Sequence, residues 1–307
     1  MGTPDFALFS LRALMEAGED VIGVITQPDK PKGRGYALTP PPVKVYAQEK
    51  GLPVWQPNTL RDEAFAALLA ELDPEMIVVV AYGKILPKNV LDYPKYGCVN
   101  VHGSLLPEYR GAAPMQRAIM EGKPETGVTT MMMDVGLDTG DMLLVGKVDI
   151  AEQDNFETIH DKLGACGAEV LLRTVEAARA GTLICTPQDE TKATYAAKIE
   201  KVDCKVDFSK SAKAVHDQIR GLSPIPLAFT KTPDGKMLKI ISAAPSAVEA
   251  TAPAGTVLSV SGGKITVACG KGAIDLLSVL PEGKKRMAAA DFINGRGVKV
   301  GDVLFAE

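Results

Sequence analysis

The run Met76 to Ala81 contains no polar side chain. A continuous apolar strand of this kind suits a parallel sheet covered on both faces. The flanking pattern fits that demand. Thr3-Pro4-Asp5 predicts a helix start, with Thr3 as N-cap and Pro4 in the first turn, running through Phe6, Leu11 and Leu14 to a stop at Gly18. Strands are predicted at Val21 to Thr26 and near Pro53 to Trp55, and helices at Val43 to Lys50 and Arg61 to Leu72. Further on, strands at Thr126 to Asp134 and Met142 to Ile150 precede a long helix. Asn155 is its N-cap, Ile159, Leu163, Cys166 and Val170 form its apolar face, and Gly181 ends it. Alternating strands and helices predict an α/β fold: a doubly wound, mostly parallel, Rossmann-like sheet.

After Gly181 the pattern changes. Thr182 to about Asp203 shows no clear periodicity and reads as a linker. Beyond it lie a helix around Ser211 to Arg220 and short strands at 228–231, 237–242, 256–261, 264–268 and 273–279. Asp234-Gly235 and Gly262-Gly263 are hairpin signals between them. These predict a small C-terminal β-barrel of the OB type. The expected organisation is an α/β domain over 1–182, a linker over 183–203 and a barrel domain over 204–307. A length of 307 residues accommodates two such domains.

Composition narrows the function classes. No apolar run is long enough to span a membrane, and the N-terminus lacks a secretory pattern. The five cysteines are scattered with no Cys-x-x-Cys pair, which argues against a zinc site and a disulfide framework and fits a reducing cytoplasm. Residues 201–307 hold 15 Lys and Arg against 10 Asp and Glu, whereas the whole chain holds 34 against 38. A basic C-terminal part on an acidic body permits a polyanionic partner, and ordinary surface variation gives the same numbers. Residues 27–42 form a polar loop with five prolines and two glycines. It carries Lys30, Lys32 and Arg34, with Lys44 just beyond, and reads equally as a basic cluster or as a solvated loop.

The chemistry concentrates in Val99 to Pro107. Val99 and Val101 alternate with Asn100 and His102, so a strand turns the amide and the imidazole to one face. Gly103 ends the strand and Ser104 to Pro107 forms a turn. Open α/β sheets bind ligands at the C-terminal ends of their strands. A strand end whose Asn and His satisfy loop backbone groups accounts for the same spacing. The other histidines, His160 and His216, lie in helical patterns that favour structural roles. Cys98 fits a small buried residue better than a nucleophile. The glycine-bracketed loop Asp134 to Asp141 brings acidic groups, and an aspartate there orients His102 and stabilises its charged form, or simply caps the loop.

Three stretches together carry a resemblance: Asn100 to Pro107, Arg110 to Pro114, and Gly136 to Asp141. They resemble the formyltetrahydrofolate-dependent transferases. Gly2-Thr3-Pro4-Asp5-Phe6, Gln27 to Pro31 with Gly33-Arg34-Gly35, and Glu282 to Met287 resemble the branch that acts on initiator tRNA charged with methionine. The resemblance implies 10-formyltetrahydrofolate as formyl donor, no metal, and a monomer in the bacterial-type cytoplasm. It implies that Asn100, His102 and Asp138 are catalytic, with Asn100 and His102 hydrogen-bonding the oxygen that becomes charged. Ser104, Leu105, Leu106 and Pro107 would line the folate site, with Ile85 and Leu86 as a wall. Lys30, Lys32, Arg34, Lys284, Lys285 and Arg286 would meet tRNA phosphates. A member acting on glycinamide ribonucleotide or an amino sugar, or a tRNA-binding module without catalysis, is the alternative.

The sequence departs from the resemblance in three places. The family carries an apolar strand ahead of Gly2-Thr3-Pro4, whereas here Met1 directly precedes Gly2, so a late start or a truncated chain with exposed edges on the neighbouring strands is expected. Tyr36 and Ala37 stand where basic residues are common, and Ile225 stands between Pro224 and Pro226 where an aromatic is usual.

Overall fold

A computed structural model describes residues 1–32 and 37–305. In chain order the elements are α1 (Phe6–Glu16), β1 (Val24–Ile25), β2 (Lys30–Lys32), β3 (Ala37–Thr39), α2 (Pro42–Glu49), β4 (Val54–Trp55), α3 (Glu63–Leu72), β5 (Ile77–Val79), α4 (Lys88–Leu91), β6 (Cys98–His102), β7 (Arg110–Gly111), α5 (Pro114–Met120), β8 (Glu125–Met132), β9 (Met142–Asp149) and α6 (Phe156–Ala180). Then follow β10 (Tyr195–Ala196), α7 (Ala212–Gly221), β11 (Ala228–Lys231), β12 (Met237–Ser246), β13 (Val257–Ser259), β14 (Ile265–Ala268), β15 (Ala273–Pro281), β16 (Met287–Ala288) and α8 (Ala289–Asn294). Two compact units result. One comprises residues 1–111, 125–149 and 160–196; the other comprises 112–124, 150–159 and 197–307.

In the first unit β5 and β6 run parallel, and β8 and β9 extend that sheet antiparallel in the order β5-β6-β8-β9. β1 pairs in parallel with β4. One face of the apolar run of β5 is covered, Ile77 and Val79 packing in one core with Phe65 and Leu69 of α3 and Val90 of α4, whereas Met76 and Val78 on the other face are only half-buried. β6 lies inside the sheet and all five of its residues are buried. Met1 and Gly2 tie β1 to β5, since the Gly2 N–H donates to the Ile25 carbonyl and the Val80 N–H to the Met1 carbonyl. A cavity of 740 Å³ borders both strands and is lined by Met1, Leu11, Val24, Val78 and Val80 among others.

Several local expectations change. Thr3 does not cap α1: its hydroxyl donates to the Tyr82 carbonyl, and Asp5 takes the cap by accepting from the Phe6 N–H. The loop over 27–42 contains the antiparallel pair β2 and β3. Lys44 is not free for a partner, because its ammonium donates to both Asp29 oxygens at 2.9 Å and to Gln56. The α6 cap forms as expected, with Asn155 Oδ1 accepting from the Thr158 N–H and the Thr158 hydroxyl from the Asn155 N–H. The stretch read as a linker is structured at both ends, and Lys201–Cys204 closes it as a 3-10 turn. Thr186 bridges Met142, and β10 pairs in parallel with β7.

The second unit holds a six-stranded antiparallel sheet in the order β11-β12-β15-β14-β13, with β16 beside β15. Register shifts between Ile240 and Ala243 bend β12, as bulges do. Val303 bridges Thr256 and Phe305 bridges Lys231, so the C-terminal segment links the two outer strands of a small barrel. Its core gathers Leu238, Ile240, Ile265, Val267, Leu276 and Val279 against Val215 and Ile219 of α7. No helix among the described residues is long and apolar enough to cross a membrane.

Candidate active site

β6 delivers the expected pair. Asn100 and His102 share one strand face, and both are nearly closed off, at 9% and 6% exposure. Among the described residues the Asn100 side-chain amide makes no hydrogen bond with the protein. The amide is not among the polar atoms sealed off from water, so it stays open to a ligand atom while the rest of the residue is enclosed.

His102 is held at one nitrogen and open at the other. Its Nε2 lies 3.0 Å from the Tyr109 carbonyl. A carbonyl oxygen only accepts, so Nε2 carries the proton. Nδ1 faces Asp138 Oδ2 across 3.6 Å. That gap exceeds a hydrogen bond but is short for a charge pair. The neutral ring therefore offers a lone pair at Nδ1, and a proton taken up there comes to rest beside a carboxylate.

The Asp138 loop is shaped by its glycines. Asp138 sits at φ 54°. A Cβ on Gly140 would stand 1.7 Å from the Met132 carbonyl oxygen, so only glycine lets the loop return to β8. Asp134 Oδ1 accepts from the Gly136 N–H and the Thr139 hydroxyl and closes the turn. Asp138 Oδ2 accepts from the Gly111 N–H at 2.8 Å, which fixes that oxygen on the His102 side.

The turn after β6 is fastened from β8. The Thr129 hydroxyl donates to the Ser104 carbonyl at 2.8 Å and accepts from the Leu106 N–H. Ser104 is fully buried and its hydroxyl donates to the Glu108 carbonyl. Leu106 is buried as well, while Leu105 and Pro107 are half-buried. Ile85 is 77% exposed, but Leu86 belongs to the core of the first unit, so only Ile85 of that pair presents a surface. Cys98 is buried with its thiol pushed up to about 12 by desolvation, which leaves it inert as a nucleophile.

Sequence reasoning missed the strap of residues 186–196. Arg110, fully buried, donates to both oxygens of Glu190 and, through Nε and Nη2, to Gln188 Oε1. Glu190 in turn is held below the usual carboxylate range by the Arg110 guanidinium. The Tyr109 N–H donates to the Thr194 hydroxyl at 2.8 Å, which steadies the carbonyl that orients His102. The one available signal was Arg110 itself, a charged residue in the run between the turn and Gly111.

Of the basic residues, Lys30 is exposed next to β2 partner Thr39, and Lys32 ends β2. Arg34 lies outside the described residues. Lys284, Lys285 and Arg286 are all exposed on the turn between β15 and β16 in the second unit. No cluster of three His, Cys, Asp or Glu suited to a metal ion occurs among the described residues.

A mixed α/β sheet that presents an unpartnered amide and a carboxylate-flanked imidazole has the layout of a group-transfer site. Residues 2–175 match the family described as Formyl transferase, and residues 198–297 match Formyl transferase, C-terminal domain. The chain belongs to the formyl transferase family. It is similar to methionyl-tRNA formyltransferase of Bacillus subtilis, at 50% identity over 306 residues, covering 99% of this chain and 96% of that protein. The methionyl-tRNA formyltransferase of Geotalea uraniireducens is 47% identical over 304 residues, with 99% and 96% covered. Among solved structures, HypX from Aquifex aeolicus in complex with tetrahydrofolic acid shares the fold at a TM-score of 0.63 and 18% identity, over 93% of this chain and 51% of HypX.

Proposed function

We propose that this protein transfers the formyl group of 10-formyltetrahydrofolate to the α-amine of methionine esterified to initiator tRNA. The product is N-formylmethionyl-tRNA for translation initiation. The observation that carries the reading is the pairing of Asn100, an amide without a protein partner, with His102, whose Nδ1 faces Asp138 at 3.6 Å. Near-full-length similarity to methionyl-tRNA formyltransferases sets the acceptor. A small acceptor such as glycinamide ribonucleotide or an amino sugar has no use for exposed Lys30 of β2 and the exposed lysines of the β15–β16 turn.

The donor supplies a formyl carbon bonded to nitrogen. Asn100 donates its side-chain N–H to the formyl oxygen, which gains negative charge as the amine adds. Preset donors of this kind contribute roughly 3–4 kcal/mol each to lowering a barrier. His102 takes the amine proton at Nδ1, because Nε2 is already committed to Tyr109. The resulting imidazolium is stabilised by Asp138, and its Nδ1–H then serves as a second donor or returns the proton to the leaving nitrogen. Leu105 and Pro107 of the turn meet the donor, with Ser104 and Leu106 bracing them from beneath, and Ile85 forms a further wall. Lys30, Lys32, Arg34, Lys284, Lys285 and Arg286 meet tRNA phosphates. In this reading the protein works as a monomer in the bacterial cytoplasm, a compartment that keeps its five thiols reduced.

Incubating the protein with 10-formyltetrahydrofolate and either methionyl initiator tRNA or glycinamide ribonucleotide tests the reading. Formylmethionine on the tRNA alone is expected. Transfer to the small acceptor alone, or tRNA binding without transfer, overturns it.

A further inference from the structure

We propose that Gln188 is a positioning residue for this reaction: its side-chain amide, anchored on Arg110, clamps the backbone of the Asp138 loop so that the carboxylate stays aimed at His102. The inference rests on the function proposed above and assigns the device that holds its site together.

The loop needs an outside fastener. Asp138 has a left-handed backbone, a conformation that aspartate tolerates better than most residues but that still persists best where the surroundings hold it. Its neighbours offer no packing, since Val135 is 73% and Leu137 61% exposed. The Asp134 bonds to Gly136 and Thr139 close the loop on either side of Asp138 but do not themselves hold Asp138. Even about 1 Å of misplacement in a catalytic group can cost on the order of 100-fold in rate.

Gln188 meets that need with its full hydrogen-bonding capacity. Its Nε2 donates to the Asp138 carbonyl at 2.8 Å and to the Gly140 carbonyl at 2.7 Å. Its Oε1 accepts from Arg110 Nε at 3.0 Å and Nη2 at 2.8 Å. The two ends of the amide are not interchangeable. A flipped amide would set its oxygen against two carbonyl oxygens and its NH2 against a guanidinium, which has no acceptor. Arg110 is locked in turn by its two-pronged pair with Glu190. It immediately precedes Gly111, whose N–H holds the Asp138 carboxylate. Two consecutive residues of β7 thus grip Asp138 at both ends. Gly111 holds the side chain directly, and Arg110 holds the backbone through Gln188.

Two substitutions separate this role from simple packing or charge balance. Gln188→Met keeps the length and removes every hydrogen bond. Gln188→Glu keeps an oxygen for Arg110, adds an ion pair to it, and loses both donors to the loop. If Gln188 merely satisfied Arg110, Gln188→Glu would serve as well as the parent. The positioning role makes it fail like Gln188→Met.

The experiment measures formyl transfer to methionyl initiator tRNA for the parent, both Gln188 variants, Asp138→Asn and the double variant Gln188→Met/Asp138→Asn. Exchange of the Gly111 amide hydrogen is followed in the parent and both Gln188 variants. Both Gln188 variants are expected to lose about 10- to 100-fold in kcat, the range typical of residues that orient a reacting group, with KM for the tRNA little changed. In the Asp138→Asn background Gln188→Met should cost under about 3-fold more, because groups acting as one unit are not additive. The Gly111 amide should exchange faster in both variants, since its acceptor is no longer held. Losses that multiply, a Gln188→Glu variant with parental kcat, or unchanged Gly111 protection overturn the proposal. A parent that transfers no formyl group refutes the functional reading instead, and Gly111 exchange still decides whether the clamp exists.

Discussion

His102 donates its Nε2 proton to the Tyr109 carbonyl across 3.0 Å, and this one bond decides what the imidazole can do. The ring cannot offer Nε2–H to a substrate oxygen, and its open nitrogen is the one that faces Asp138. In the proposed reaction, proton uptake at Nδ1 therefore comes first, and hydrogen-bond donation to the formyl oxygen follows only after that uptake. His102→Ala removes the base and should lower kcat by roughly 10²- to 10⁴-fold. Affinity for the tRNA, measured by filter binding or fluorescence, should stay close to the parent. Comparable transfer rates in variant and parent would remove His102 from the chemistry.

Asn100 makes a sharper electrostatic case. Its amide is nearly buried and, among the described residues, unpartnered, so Asn100→Ala disturbs no protein hydrogen bond. Thermal stability should be unchanged or slightly raised. The rate should fall by about 10²- to 10³-fold, the usual effect of removing one donor to a developing oxyanion. The KM for the formyl donor should move far less than kcat, because the bond strengthens as charge develops. A variant that loses binding and rate equally would make Asn100 a binding residue.

The elements legible in the sequence were those fixed by neighbours in the chain. Alternation at Val99 to His102 is a period-two pattern, and it placed Asn100 and His102 on one face of β6. The Asn155 cap and the Gly181 stop bracket α6 by local chemistry alone. What stayed hidden depends on partners far along the chain. Thr3 has the right position for a cap, but the Tyr82 carbonyl 79 residues away claims its hydroxyl. Lys44 counts as a free cation until Asp29 and Gln56 meet it. The strap from Thr186 to Ala196 has no periodicity because its order comes from Arg110, Met142 and the Asp138 loop, not from an amphipathic face of its own.

The turn between β15 and β16 carries Lys284, Lys285 and Arg286, all exposed. Each phosphate neutralised releases condensed counterions, so the dependence of log affinity on log salt steepens by about 0.7 to 0.9 per contact. Replacing all three residues by alanine should weaken tRNA binding and flatten that slope by roughly 2 to 3. The transfer rate at saturating tRNA should be retained. A slope equal to the parent's would show that Lys284, Lys285 and Arg286 do not meet tRNA phosphates.

Asp203 gives the second unit a pH dependence of defined sign. Arg117 donates to its Oδ2 at 2.8 Å and its Oδ1 at 3.2 Å, and the Glu200 N–H donates to Oδ2 as well. The Arg117 guanidinium, with the backbone bond from Glu200, outweighs burial and holds this carboxyl below its ordinary value of 3.8. An unfolded chain then binds a proton at a pH where the folded one does not. The stabilisation is complete above about pH 5 and is lost as pH falls through 3.8 toward the lower folded value. Arg117→Met removes the partner that lowers it. The variant should unfold at lower urea than the parent near neutral pH, and the gap between their midpoints should shrink steadily below about pH 4. A gap that stays constant down to about pH 3 would show that Arg117 stabilises the unit through the Ala197 and Lys198 carbonyls it also meets, not through the Asp203 charge.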